Sequence, residues 1–344
     1  MPNLTLEDVA KKAGVSRSTV SRVVNGFDSI SEDVRNRVLK VIEETGYHPN
    51  AAARALASHR SKIIGLILPH SVSMLFTDPY YPHLLRGISQ SCNQNQYTLA
   101  FFLFSSEEDE KVNFTSIPSM GLLDGVLVQS DHFGKQRIVN HLLEAKMPHV
   151  VIGRPRQPEK VSFVDVDNVN GANNAVTHLV HLGYQRISTI TGPLQSTVGI
   201  DRRDGYLNAL KKHALGVDPE LIEEGYFTEQ SGYNAMQKLF SKNPDAVFAA
   251  SDMMAFGAIR AIREHGLSTP EDIAVIGFDD IPLTPLSNLG LTTIHQPVNE
   301  LGEQAVRLLL SIIENGTETP QNIVLKTRLI IRSTCGSDNL IEPQ

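Results

Sequence analysis

The stretch Thr5–Asn25, TLEDVAKKAGVSRSTVSRVVN, predicts two short helices joined by a glycine turn. Thr5 suits the N-cap of the first helix and Asp8 its third position, a pairing in which side chains satisfy otherwise unpaired backbone N–H groups. Gly14 supplies a turn that a residue with a Cβ resists, and Ser16 suits the N-cap of the second helix. Valine and alanine at helical spacing give the two helices a shared apolar face, so we expect them to pack together.

The outward face of the second helix carries hydrogen-bond donors and no carboxylate, at Arg17, Ser18, Ser21, Arg22 and Asn25. Guanidinium groups pair with guanine in the major groove of DNA, and short hydroxyls or amides reach phosphates and base edges. A third helix is predicted from residue 32 to about residue 45, with valines that complete a small core. The pattern predicts a helix-turn-helix DNA-binding head. The alternative is a three-helix interaction module whose arginines only solvate its surface.

The distribution of charge supports a DNA-binding head. Residues 1–62 hold ten Lys or Arg and seven Asp or Glu, a balance of +3, whereas the whole chain has a formal charge of −7. The remaining residues therefore carry −10. An acidic body repels nucleic acid, so any contact with phosphates is expected to come from the N-terminal part.

The length and cysteine content limit the class of protein. A chain of 344 residues leaves room beyond the head for one large or two medium domains. The two cysteines, Cys92 and Cys335, fit neither a disulfide framework nor a metal-binding spacing. No apolar run approaches the length of a membrane span, and the N-terminus lacks the pattern of a secretion signal. We expect a cytoplasmic protein with no membrane partner.

The segment Pro49–Lys62, PNAAARALASHRSK, links the head to the rest of the chain. Asn50 can cap a short alanine-rich helix, which is marginal alone because helix nucleation is costly. Leu56 lies beside Arg54 on this segment, and such an apolar side chain can wedge between base pairs from the minor groove while the arginine holds phosphates. The alternative is a simple linker with some helical bias.

After residue 62 the pattern changes to alternating strands and helices, which is typical of doubly wound α/β layers. Apolar runs read as buried strands at Ile63–Leu68, Tyr97–Phe104, Gly125–Gln129, His149–Gly153, Phe163–Asp167, Arg186–Thr191, Ala246–Ala250 and Ile273–Asp279. Helical segments are predicted at Pro82–Asn95, Gly171–Leu182, Asp201–His213, Ser231–Ser241 and Met253–His265.

Ligands of such sheets bind beyond the carboxyl ends of the strands, so polar and aromatic residues there are candidate ligand contacts. These are Tyr80, Tyr81, Gln129, Arg202, Phe227, Ser251, Asp252, Asp279 and Gln296. Two alternatives stay open. Asp252 can equally be the N-cap of the following helix, and the two tyrosines can equally belong to the core.

No pattern predicts an enzyme. His178 and His181 are three residues apart on a helix with no third ligand, so a metal site is not expected. The chain has no GxSxG elbow, no GxxxxGK[ST] loop and no GxGxxG after a strand. Asp279 and Asp280 are adjacent in a loop and point in different directions. We therefore expect no catalytic residues, no metal and no cofactor.

Several segments together resemble the LacI/GalR (lactose-repressor) family: TLEDVAKKAGVSRSTVSRVVNG, GYHPNAAARALA, DPYYPHLLRGI, RRDGYLNAL, ASDMMAFGAIRAIREHG and VIGFDD with LTTIHQPV. The resemblance runs from Leu4 to about Thr334. It implies a helix-turn-helix domain at 1–47, a hinge helix and linker at 48–61, and a periplasmic-binding-protein-like body at 62–344. The body would have an N-subdomain (about 62–165 and 292–321) and a C-subdomain (about 166–291 and 322–344) around a cleft.

The resemblance also assigns roles to residues. It makes Arg17 and Ser18 variable base readers, Arg22 a guanine contact and Leu56 a minor-groove lever. It places phosphate contacts at Ser16, Thr19, Ser21 and Asn25, and the expected DNA-binding set is completed by Thr5, Asn50 and Arg54. In the body it implies that Arg202 and Asp279 hold effector hydroxyls, that Ser251, Gln296 and Gln129 lie close by, and that Phe227 stacks on the ligand.

One departure from the family bears on the ligand. Ser196 stands where purine-binding members have an arginine, which favours an uncharged polyol or sugar over a nucleobase. A second departure, Val34 in place of a frequent threonine, removes at most one phosphate contact.

The expected function is that of a homodimeric transcription regulator, a repressor of pseudo-palindromic operators on double-stranded DNA. A small sugar-like effector in the cleft would switch operator affinity allosterically. Two other functions explain the sequence less well. A transport receptor requires export, and an architectural DNA binder does not explain the large body.

Overall fold

The computed structural model describes residues 4–24, 29–47, 60–68, 75, 77–103, 117–129, 136–281 and 290–337. They fall into two compact units, one formed by residues 1–62 with 122–124 and the other by the rest of the chain. Among the described residues, no helix combines the length and the apolar character needed to cross a membrane.

The N-terminal unit contains three helices, namely α1 (Leu6–Ala13), α2 (Arg17–Val24) and α3 (Glu32–Thr45). The predicted capping box is present, since the Thr5 amide donates to the Asp8 carboxylate (2.9 Å) and the Asp8 amide donates to the Thr5 hydroxyl (3.3 Å). Gly14 ends α1 at φ +65°, a conformation that glycine adopts without strain. Val9, Val20 and Val38 are fully buried where the helices meet.

The second unit is built on two six-stranded sheets. The first sheet has the order β11-β5-β4-β3-β1-β2, and all its pairings are parallel. Its strands are β1 (Ile63–Leu68), β2 (Thr98–Leu103), β3 (Gly125–Gln129), β4 (His149–Ile152), β5 (Phe163–Val166) and β11 (Asn322–Leu325).

The second sheet has the order β12-β10-β9-β8-β6-β7 and is parallel except for its edge strand β12, which runs antiparallel to β10. Its strands are β6 (Ile187–Thr191), β7 (Ile222–Glu224), β8 (Ala246–Ala249), β9 (Ala274–Asp279), β10 (Thr292–His295) and β12 (Arg328–Ile330).

Helices pack on these sheets and cover their apolar strands. They are α4 (Tyr80–Gln94), α5 (Gln136–Glu144), α6 (Asn168–His181), α7 (Thr197–Lys212), α8 (Glu229–Leu239), α9 (Asp252–Glu264) and α10 (Val298–Asn315). Leu84 of α4 and Leu309 of α10 are buried in the core of the first sheet. Met236 of α8 lies in one core of the second sheet and Tyr206 of α7 in the other. The structure thus has the doubly wound α/β layers that the sequence pattern predicts.

The connections between the two sheets differ in part from the expected subdomain limits. The chain leaves the first sheet after Val166, returns to it after His295 and leaves it again after Leu325. Strand β10 therefore belongs to the second sheet and β11 to the first, the reverse of the expected limits at residues 292 and 322. The reason is that each strand pairs along its full length, β10 with β9 and β11 with β5, before the chain crosses.

Candidate functional sites

The exposed face of α2 presents the donors that the sequence predicts. Arg17, Ser18 and Arg22 are exposed, whereas Val20 and Val23 are buried on the opposite face. Arg17 makes an exposed ion pair with Glu7 at 3.4 Å, which is weak in water and can be exchanged for a phosphate.

The start of α2 is held by a hydroxyl cluster. The Ser16 Oγ accepts from the Thr19 amide at 3.2 Å and lies 2.8 Å from the hydroxyl oxygens of both Ser18 and Thr19. Ser21 is half-buried on the same helix. The predicted DNA contacts Asn25, Asn50, Arg54 and Leu56 lie outside the described residues.

In the second unit, side chains from both sheets line one open cavity with about 610 Å³ of unfilled space. Eight of the nine predicted ligand contacts line it, namely Tyr80, Tyr81, Gln129, Arg202, Phe227, Ser251, Asp279 and Gln296. They meet because the carboxyl ends of parallel strands lie at one edge of each sheet. Tyr81 is also buried in the core of the first sheet, as the alternative for this residue predicts, while its contact with a ligand stays a prediction.

Arg202 is the central cation of the cavity and is only 4% exposed. Its Nε donates to the Asn168 side chain at 2.9 Å, and its Nη1 donates to the Ala250 carbonyl at 2.6 Å and to the Asp279 carboxylate at 3.4 Å. The guanidinium carbon lies 3.6 Å from the centre of the Phe278 ring. None of these bonds uses Nη2, so this nitrogen is available to donate to a ligand.

Asp279 joins Arg202 to Gln296, which follows the neighbouring strand β10. Its Oδ1 also accepts from the side-chain amide (Nε2) of Gln296 at 2.5 Å. Burial raises the pKa of Asp279, and Arg202 opposes part of that rise. The charge of Arg202 therefore favours the ionised form of the Asp279 carboxyl group.

Asp252 does not line the cavity. Its carboxylate accepts from the Thr293 hydroxyl at 2.5 Å and from the Asp280 amide at 2.8 Å, so it connects α9 to the ends of β9 and β10. Burial raises the pKa of Asp252, and the nearby charge of Asp279 raises it further. Ser251, rather than Asp252, is the N-cap of α9, where it accepts from the Met254 amide.

Strained backbone occurs at the cavity. Asp279 has φ +135° and Asp280 has φ +55°, and Phe227 has φ +58°. Such conformations cost a non-glycine residue about 1–3 kcal/mol and concentrate at functional sites. They aim the Asp279 carboxylate and the Phe227 ring into the cavity. Gly192 leaves room for that ring, since a Cβ there would lie 2.2 Å from it.

Asp165 and Asn168 also line the cavity and were not among the predicted contacts. Asp165 is the last residue but one of β5, within an apolar run, and Asn168 begins α6, so the sequence favours structural roles for both. The pKa of Asp165 is raised to about 7, mainly by burial and to a smaller extent by the charge of Asp201, against the opposing effects of the Val166 amide, Arg202 and Arg154. A strand-end carboxylate in an apolar run is the sequence signal that could have identified Asp165.

The raised pKa of Asp165 predicts a pH dependence. The folded state holds the proton up to about pH 7, whereas an unfolded aspartate loses it near pH 3.8. Between these values only the unfolded state ionises, so the free energy of unfolding falls progressively as the pH rises. We expect Asp165→Asn to stabilise the protein, with a gain that grows by about 2–3 kcal/mol from pH 5 to pH 8. Urea unfolding of both proteins at the two pH values measures this, and a constant gain contradicts it.

A bidentate ion pair connects the layers of the two sheets beside the cavity. Arg154 follows β4, and its Nε and Nη2 donate to the Asp201 carboxylate of α7 at 2.8 and 2.5 Å. The Thr197 hydroxyl, at the start of α7, donates to the Arg154 carbonyl at 2.6 Å. Because the three residues come from opposite layers, these bonds hold the two layers in one relative position.

A double-mutant cycle of Arg154→Ala and Asp201→Ala is expected to give a coupling energy of about 1–2 kcal/mol in urea unfolding, since the pair is bidentate but partly solvated. The neighbouring pair Arg203–Asp204 lies within α7 and is more exposed. The same cycle on that pair is the control and should give less than about 0.5 kcal/mol. Equal coupling in the two cycles contradicts the prediction.

Comparison with known proteins agrees with this architecture. A model of bacterial regulatory proteins of the lacI family matches residues 5–50, and a model of a periplasmic binding protein-like domain matches residues 176–335. The HTH-type transcriptional regulator CelR of Thermobifida fusca is 37% identical over 336 residues, which cover 96% of this chain and 98% of CelR. The chain belongs to the LacI family.

Other members of the LacI family match over a similar extent. The HTH-type transcriptional repressor PurR of Klebsiella pneumoniae (strain 342) is 34% identical over 344 residues, which cover 98% of both chains. The structure of a CelR–cellobiose complex matches with a TM-score of 0.76 at 34% identity, covering 96% of this chain and 99% of CelR.

The Lac repressor dimer bound to operator and the anti-inducer ONPF matches with a TM-score of 0.83 at 28% identity, over 96% of this chain and 99% of the repressor. These relatives are transcription regulators rather than enzymes. This LacI-family chain is therefore a DNA-binding transcription regulator with a periplasmic-binding-protein-like body.

Proposed function

We propose that the chain is a repressor whose operator affinity is switched by a neutral sugar bound in the cavity of the body. The observation that carries this proposal is the buried cluster of Arg202, Asp279, Gln296 and Asn168 on the cavity wall. Its groups accept from and donate to hydroxyls, and Phe227 offers an aromatic face for a sugar ring.

The position of Ser196 supports a sugar over a nucleobase. Ser196 is buried at the N-cap of α7, where its hydroxyl accepts from the Gly199 amide at 3.0 Å and donates to the Pro193 carbonyl at 2.8 Å. Its hydrogen-bonding capacity is used by the backbone, so it offers a ligand no charged donor.

The switch would act through the two layers that enclose the cavity. Tyr80 and Gln129 come from the first layer, whereas Arg202 and Ser251 come from the second, so a ligand in contact with all four changes the preferred angle between them. We propose that this angle sets the spacing of the hinge segments of a dimer and hence its operator affinity. A coupling free energy of about 1–3 kcal/mol suffices for such a switch.

We further propose that the chain is a homodimer that binds pseudo-palindromic double-stranded DNA. An exposed apolar strip on the edge strand β2 supports this, since Phe101 is 48% exposed and Leu103 is 37% exposed. An exposed apolar edge strand promotes aggregation unless another surface covers it. The similar Lac repressor structure is a dimer on its operator.

We also propose residue limits for the three domains of the chain. They are a helix-turn-helix domain at 1–47, a hinge at 48–61 and an effector-binding body beyond it. We also propose a cytoplasmic location and no catalytic activity. The second point is supported by the cavity, where no nucleophile is paired with a base among the described residues.

Fluorescence anisotropy with a selected operator duplex, with and without cellobiose and related sugars, tests the proposed function. Cellobiose comes first because the similar CelR structure contains it. One sugar is expected to change the operator affinity by about 5- to 150-fold and to raise the melting temperature of the protein. Sequence-specific operator binding that no sugar alters rejects the sugar switch.

A further inference from the structure

Asp165 is a deeply buried carboxyl group on the cavity wall, and its hydrogen bonds within the described residues use only one of its two oxygens. It is 6% exposed, at the end of β5 on the first-sheet side of the cavity. Its Oδ1 accepts from the Val166 amide at 2.8 Å and from the Asn168 side-chain amide at 3.2 Å. Within the described part of the chain, no donor reaches Oδ2. This oxygen is accessible from the cavity, where a ligand or a water molecule can donate to it.

The orientation of Asn168 shows what Asp165 offers to a ligand. The Asn168 Oδ1 accepts from Arg202, so its Nδ2 must face Asp165. Asn168 thereby fixes the guanidinium and the carboxylate on either side of itself, and the two groups present a donor and an acceptor to the same cavity.

Among the described residues, no cation forms an ion pair with Asp165. Arg202 is paired with Asp279, and Arg154 is paired with Asp201. Among the described residues, Asp165 and Asp279 thus line the cavity together with the one guanidinium of Arg202. Above about pH 7, where Asp165 is ionised, an anionic group on a ligand would meet this negative charge in a poorly solvated site, where repulsion is strong.

We infer that Asp165 determines effector specificity: it accepts a hydrogen bond from a hydroxyl or ammonium group of the effector and excludes ligands that carry a phosphate or carboxylate there. This rests on the proposed function, because it concerns the same cavity. It goes further by naming the residue that selects the ligand and the chemical class that is rejected.

Asp165→Asn is the informative substitution because it preserves shape. The amide oxygen can keep the bonds to Val166 and Asn168, which leaves an NH₂ group where the free carboxylate oxygen was. A ligand ammonium then meets a donor in place of an acceptor, a ligand hydroxyl must reverse its hydrogen bond, and the repulsion of an anion falls. The control is Asp204→Asn, which removes a carboxylate from α7 that pairs with Arg203 and does not line the cavity.

The experiment is calorimetric titration at pH 8, where Asp165 is ionised, of the full-length wild type and both variants with cellobiose, glucose, glucosamine and glucose 6-phosphate. Wild type and Asp204→Asn are expected to bind a neutral or amino sugar and to reject glucose 6-phosphate. Asp165→Asn is expected to lose about 10- to 100-fold in affinity for the bound sugar, with the larger loss for glucosamine. Melting temperatures of all three proteins confirm that they are folded.

The outcomes separate the two proposals. Equal sugar affinity in wild type and Asp165→Asn overturns the role of Asp165 and leaves the sugar switch standing. Tightest wild-type binding to glucose 6-phosphate overturns the charge selection. Binding of none of the four by the wild type overturns the inference, whereas the proposed function is judged by the operator measurement with its wider set of sugars.

Discussion

Arg202→Ala is expected to lower the free energy of unfolding by about 3–5 kcal/mol and to abolish effector binding. The substitution leaves the Asp279 carboxylate buried without its cation, and it also removes the bonds to Asn168 and the Ala250 carbonyl. An unpaired buried charge is among the most destabilising consequences of a single substitution.

The pH dependence of this effect identifies its cause. The pKa of Asp279 is already raised by burial against the opposing effect of Arg202, so removal of the arginine raises it further. At low pH the carboxyl is protonated and needs no counter-charge, and the loss of stability should therefore be smaller at pH 5 than at pH 8. Urea unfolding followed by far-UV circular dichroism measures both values.

The matched control is Arg203→Ala, the next residue of α7, whose pairing with Asp204 is far more solvated. We expect a change below about 1 kcal/mol there. A loss at Arg202 that is no larger than at Arg203, or that does not change with pH, contradicts the assigned role of the Arg202–Asp279 pair.

Arg22→Ala is expected to weaken operator binding at least about 30-fold while leaving the stability of the head unchanged. A bidentate contact to a base contributes about 1–3 kcal/mol, and a dimer on a palindromic site loses it twice. Arg22 is exposed on α2, whereas the helix is held by Val20 and Val23 on its other face. The melting temperature of the head should therefore remain the same.

The ratio of operator binding to random-sequence binding tells base reading from simple phosphate attraction. Arg22→Ala should reduce this ratio, measured by anisotropy at fixed salt. Arg37→Ala is the control, since this exposed arginine lies on α3 and pairs with Asp33 at 3.7 Å. A uniform loss on both kinds of DNA shows that Arg22 contacts phosphate only and contradicts its role as a base reader.

The helix-turn-helix head was accessible to sequence reasoning because its determinants are local. The Thr5 capping box, the turn at Gly14 and the apolar spacing of α1 and α2 all lie within about twenty residues, and each acts on its immediate neighbours along the chain. The strands of the body were predictable for the same reason, since buried parallel strands are continuous apolar runs.

The cavity was predictable only in outline. The rule that ligands bind at the carboxyl ends of parallel strands selected eight residues that do line it. The same rule selected Asp252, which instead bonds to Thr293 and the Asp280 amide, and it missed Asp165. At the end of a strand, the sequence does not reveal whether a carboxylate turns toward the cavity or toward a neighbouring strand.

The sequence by itself therefore determined the three-helix head, the alternation of strands and helices, and the residue types available for DNA and ligand. The tertiary structure alone decided that β10 belongs to the second sheet and β11 to the first, that Arg154 pairs with Asp201, and that Asp165 lines the cavity. The physical reason is the range of the interactions involved. Caps, turns and periodicity depend on neighbours in sequence, whereas a buried charge is defined by partners such as Arg202 and Asp279, which lie 77 residues apart along the chain.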